Sequence, residues 1–138
     1  GDDYLVLGTN TDYTDQAAFP SSFICTPEYA EANQDILVRF SQAILKAQVY
    51  RAANIEEVAK TLAADLDAPE DTMLLSVGEG DWQGAVDCMG DFDTIRSLYE
   101  AQQQVFLNNG TITEEVPVDN YVLFDVMQQA YDNYSASK

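Results

Sequence analysis

Apolar residues in this 138-residue chain recur mostly three and four positions apart, the spacing that lines one face of an α-helix. After Asn33 the set Ile36, Leu37, Phe40, Ile44, Ala47 and Tyr50 predicts one amphipathic helix over 33–52, about 30 Å long. Thr26-Pro27-Glu28 reads as an earlier helix start, with threonine as cap, proline at the first helical position and an acid in the first turn. Asn54-Ile55-Glu56-Glu57 opens another helix in capping-box style, its stripe formed by Ile55, Val58, Ala59, Leu62 and Leu66. Pro69-Glu70-Asp71 opens a shorter one carrying Met73, Leu74 and Val77. A helix from Asp91 or Asp93 carries Ile95, Leu98, Tyr99, Gln102 and Phe106, and stops at Asn109-Gly110, where glycine supplies a left-handed cap. Asp119 is expected to cap a last helix, with Tyr121, Phe124, Met127, Gln128 and Tyr131 along one side.

Three stretches break the helical rhythm. Residues 4–7 (YLVL) and 22–26 (SFICT) are short, apolar and aromatic or β-branched, as buried strands are; residues 111–118 read as extended. Residues 78–91 hold four glycines and are expected to form an irregular connection, with Trp82 pinning it to the helices or standing out as a contact residue. The sum is about five helices with two or three short strands. That is a helix-dominated α+β fold, because so few strands need helices to pack on.

Charge alters the picture more than composition does. Six basic residues face 24 acidic ones, with no histidine and a net charge of −18. Such a surface excludes nucleic-acid binding, which needs clustered Lys and Arg against phosphate, and any anionic ligand would have to be held by local donors. The apolar fraction of 46% is that of a globular protein. No run of 18 apolar residues is present to span a bilayer.

Candidate chemistry is sparse. The carboxylate pairs Asp2-Asp3, Glu56-Glu57, Glu70-Asp71, Asp91/Asp93 and Glu114-Glu115 all sit at caps, first turns or connections, where capping or solvation explains them. Ser21 and Ser22 have no histidine for a triad. Cys88 has neither histidine nor a flanking basic residue to activate it as a nucleophile. Cys25 and Cys88 could pair in an oxidising compartment, though two separate half-buried thiols is the preferred reading, and their spacing suits no zinc motif. Gly78-Glu79-Gly80-Asp81 would repel phosphate, and residues 78–93 miss the twelve-position calcium pattern. No catalytic residue, metal site or cofactor site is expected.

An ordered series of segments resembles the last third of ABC-importer solute-binding proteins of the nitrate/sulfonate/taurine (thiamine-precursor-like) class. It comprises Phe19-Pro20-Ser21-Ser22 stepping into an apolar segment, Asn33 at a helix start (with Gln34 where that class usually has proline), and Ala43-Ile44-Leu45-Lys46-Ala47 followed by Tyr50. Asn54-Ile55-Glu56-Glu57-Val58-Ala59, Phe106-Leu107-Asn108-Asn109-Gly110-Thr111-Ile112 and Val116-Pro117-Val118-Asp119 complete it. The resemblance implies that residues 1–138 are a single C-terminal fragment of a two-lobe type II periplasmic-binding-protein fold. It implies binding without catalysis, of a small anion or heterocycle such as a sulfonate, nitrate or pyrimidine. On this basis the expected cleft residues are Thr9, Thr11, Tyr13, Ser21 and Ser22, whose hydroxyls equally serve to cap and turn their loop. The partners implied are the small-molecule ligand and an ABC permease, at an extracytoplasmic location with a lipid anchor on the full-length protein. An apolar patch left uncovered by the other lobe would favour self-association. The alternative is an acidic helical protein-interaction module that takes a cationic protein partner and no small molecule. A third reading, an enzyme of the thiamine-pyrimidine synthesis type, meets the absence of histidine.

Overall fold

The computed structural model describes residues 5, 7, 21–78 and 82–137. These form α1 (Pro27–Ala32), α2 (Gln34–Ala53), α3 (Ile55–Leu66), α4 (Glu70–Gly78), α5 (Trp82–Asp87), α6 (Phe92–Asn108) and α7 (Phe124–Ala136), with a 3-10 turn at Val118–Asn120 before α7. Among the described residues there is no strand, so the α+β expectation is corrected to an all-helical one, and with it the sheet of a type II binding-protein fold. The reason lies in the backbone: a strand is stabilised by a neighbouring strand that pairs its N–H and C=O groups, and among the described residues no second strand accompanies residues 21–26. Every residue from 21 to 29 is exposed, Phe23 at 74% and Ile24 at 94%. Leu5 and Leu7 are also exposed, and residues 111–117 are irregular. No helix of the described residues is long and apolar enough to cross a membrane.

Local chemistry sets most helix ends. Asn33 and Asn54 do not cap the helices that follow them. Each turns its amide back, Asn33 Nδ2 donating to the Tyr29 carbonyl (2.9 Å) and Asn54 Nδ2 to that of Tyr50 (2.8 Å), and so closes the helix before it. Asp67 adopts a left-handed conformation (φ 50°), which lets the Ala68 N–H reach the Ala63 carbonyl at 2.9 Å and ends α3. Gly110 (φ 77°) does the same for α6, with Thr111 N–H returning to the Phe106 carbonyl at 2.9 Å. The connection over 78–91 is less irregular than its glycines suggest, because α4 runs to Gly78 and α5 occupies Trp82–Asp87. Asp119 lies in the 3-10 turn and does not cap α7.

Asp91 is a true cap. Its carboxylate accepts from the Thr94 N–H (3.1 Å) and the Thr94 hydroxyl (2.7 Å), and these bonds hold its pKa below the ordinary aspartate value. A carboxyl with a depressed folded pKa contributes fully above its unfolded value, near pH 4, and loses that contribution as pH falls through the folded value. The melting-temperature gap between the parent chain and Asp91→Ala is therefore expected to be constant from pH 6 to 7 and to close below about pH 4. A gap independent of pH in circular-dichroism melts would refute the capping role.

The residues divide into two compact units, Glu28–Gly90 with Asp125–Lys138 and Gly1–Pro27 with Asp91–Phe124. In the first, Val38 of α2 packs with Val126 and Ala130 of α7, flanked by Leu37 and Leu45. Ala59 and Ala63, almost fully buried, give α3 a small-residue face. Arg51 of α2 lies over the Trp82 ring of α5, 3.6 Å from its centroid, and the Trp82 indole N–H donates to the Val77 carbonyl. Trp82 is thus an anchor. Two faces differ from those the sequence indicated. On α2 Ile36, Phe40 and Tyr50 are half-exposed while Val38 is buried; on α7 the buried line is Val126, Ala130 and Tyr134. The thiols of Cys25 and Cys88 are both free, Cys25 exposed and Cys88 partly buried, which corrects the half-buried expectation for Cys25.

Candidate functional site

In the second unit, α6 brings chemistry-bearing side chains together. Tyr99, Gln102, Gln103 and Phe106 follow one another at helical spacing on α6 and, with Ile112 and Tyr121, line an open hollow of about 150 Å³. Tyr121 reaches it because the Val118–Asn120 turn folds the chain back, Tyr121 N–H donating to the Val118 carbonyl at 3.1 Å. The two tyrosine rings meet edge to face, with centroids 6.1 Å apart and planes at 74°, the arrangement ring quadrupoles favour. Burial, followed by the neighbouring Tyr99 and Glu100, raises the Tyr121 phenol above its ordinary pKa, so it stays a neutral donor.

Gln103 sets the polar end of the hollow. It is a buried polar residue, 6% exposed, and its Oε1 accepts from the Val116 N–H at 2.7 Å. That bond orients the carboxamide, with its oxygen engaged and its NH₂ as the donor end. One side of the unit is held by Arg96, which pairs with Asp119 at 2.5 Å and lies over the Phe124 ring at 4.3 Å; Phe92 meets that ring edge to face.

Of the residues expected to form a cleft, Ser22 is brought to this place: its hydroxyl lies 2.5 Å from the Tyr99 hydroxyl. Ser21 is exposed. Thr9, Thr11 and Tyr13 lie outside the described residues. The sequence reading placed Tyr99 and Gln102 along one helix and Tyr121 along the last, and passed over Gln103.

A larger open hollow of about 330 Å³ lies on the other unit, lined by Glu56, Ala59, Lys60, Glu70, Asp71 and Leu74 of α3 and α4. Its three carboxylates against one ammonium disfavour an anion. Among the described residues, no group of three histidines, cysteines or acids is placed to hold a metal ion. Compared with known proteins, the chain matches no family model, no curated protein and no solved structure.

Proposed function

We propose that the chain serves in capturing a small solute for an ABC importer at an extracytoplasmic site, binding it without making or breaking bonds and passing it to a permease. The observation that carries this reading is the hollow on α6. A tyrosine pair and two carboxamides line it, and the Ser22 hydroxyl is bonded to that of Tyr99. Neutral hydrogen-bond donors beside aromatic faces are what a binding site for a small polar molecule uses. The helix order lends support. α2 runs through Ala43–Tyr50, α3 starts at Ile55 and α6 ends at Asn108, as in the segments that carry the resemblance. The proposal concerns the task and brings no sheet with it.

The test is a thermal-shift panel on the chain, with taurine, nitrate, uracil and nicotinamide each titrated into the millimolar range. A ligand that binds only the folded state, at ~100 times its Kd, contributes about 2.7 kcal/mol, which raises Tm by several degrees. At least one member is expected to do so; a flat response from all four would refute the reading.

The acidic helical interaction module is the second reading. It is favoured by the all-helical architecture and by the acid-lined groove between α3 and α4. A cationic amphipathic peptide that shifts the melt while all four solutes leave it unchanged would select it.

A further inference from the structure

We infer that the hollow on α6 takes an uncharged, planar heteroaromatic molecule carrying an amide-like edge. This rests on the solute-binding reading above and narrows it. Charge makes the first selection. None of the lining residues is charged, and Glu100 adds negative potential that helps to push the Tyr121 phenol up. A sulfonate or nitrate placed there would give up its hydration with no cation to replace it, a cost that few neutral donors recover.

Shape makes the second. The hollow, about 150 Å³, suits a single ring. The edge-to-face tyrosines offer one ring face and one ring edge, and Phe106 and Ile112 complete an apolar surround. Flat π-systems gain most from such a surround.

Hydrogen bonding makes the third. The Gln103 oxygen is occupied by the Val116 N–H, so the group this lining residue offers a ligand is its NH₂ donor. Gln102, half-buried beside it, can supply the complementary acceptor. Donor and acceptor side by side match a carbonyl next to an N–H, the edge shared by uracil and a primary carboxamide. Nitrate lacks both the ring and the N–H, and taurine lacks the ring.

The experiment titrates the ¹⁵N-labelled chain with uracil, nicotinamide, taurine, nitrate and choline, following amide shifts. Uracil or nicotinamide is expected to move the amides of α6 and of 116–121. Tyr121→Ala, at a half-exposed position, is expected to weaken binding about tenfold, the scale of one lost aromatic contact. Gln102→Ala is expected to weaken it about fivefold, the scale of one hydrogen bond. Unchanged far-ultraviolet dichroism in both variants would separate loss of contact from loss of fold.

Uracil or nicotinamide bound with unchanged affinity in both variants would overturn this site and leave the solute-binding reading standing. Taurine or nitrate bound in place of the heterocycles would do the same. Choline bound in place of them would overturn the uncharged ligand. No binding by any of the five would refute both inferences together.

Discussion

Alanine in place of Gly90 is expected to destabilise its unit by about 2–4 kcal/mol, the sum of a left-handed residue and an overpacked contact. Gly90 has φ 85°, and a Cβ built on it would stand 2.5 Å from Tyr131 Cζ and 2.6 Å from Cε1. Real Cβ atoms essentially never stand so close, and the obstacle is the distal end of the Tyr131 ring on α7, which has to move as one rigid plate to make room. Gly110 supplies the control. It has φ 77° and nothing within 4 Å of its virtual Cβ, so Gly110→Ala isolates the backbone cost, about 1–2 kcal/mol. In urea titrations read by circular dichroism, the midpoint should fall further for Gly90→Ala than for Gly110→Ala, with the slope unchanged in both. Equal losses would mean that Tyr131 does not press on this turn.

That contrast also shows what could be read from sequence. Asn109-Gly110 announced a helix end because a left-handed glycine is a local requirement, set by the few residues around it. The Asp91 cap and the Pro27 start were legible for the same reason. The Gly90 contact was not, since it depends on a ring 41 positions further on.

The buried faces of α2 and α7 failed differently. Both helices carry more than one line of apolar residues, and periodicity cannot choose between lines. Ala130 decides for α7: a small side chain lets the helix approach Val38 closely, so Val126 and Tyr134 are drawn in with it and Gln128 stays outside. On α2 that choice leaves Ile36 and Phe40 at the surface. The strands failed because an apolar, β-branched segment states a preference, and only a neighbouring strand turns it into pairing.

The candidate site was half legible. Ser22 was singled out through a resemblance, and Tyr99 and Gln102 through periodicity, but nothing in the sequence joined them across 77 positions. Gln103 had one available signal. It begins the turn after Tyr99 within a glutamine run, 102–104, on a helix whose neighbours are apolar. A carboxamide placed there needs a partner from elsewhere, and the Val116 N–H, left without a strand to bond, is that partner.

Trp82→Ala is expected to cost about 2–3 kcal/mol, below the usual range for a fully buried tryptophan because this one is half-buried. Three interactions go together. The indole N–H bond to the Val77 carbonyl contributes about 1 kcal/mol, the Arg51 guanidinium stacked at 3.6 Å about 1 kcal/mol, and packed ring area the remainder. Arg51 adds a reason for the effect to exceed area alone. Its Nε is buried with no hydrogen-bond partner, and burial pulls its pKa down, so the ring face is the main compensation for a partly desolvated charge; its outer nitrogen pairs with Gln48 Oε1. Trp82→Phe keeps a weaker ring face and loses the N–H, and should recover about half the loss. A double-mutant cycle with Arg51→Ala isolates the stacking, and a coupling of about 1 kcal/mol is expected from the cation–π contact. Coupling within error of zero would mean that guanidinium and indole merely lie side by side. The join between α2 and α5 would then rest on contact area alone, since the Val77 bond ties α5 to α4.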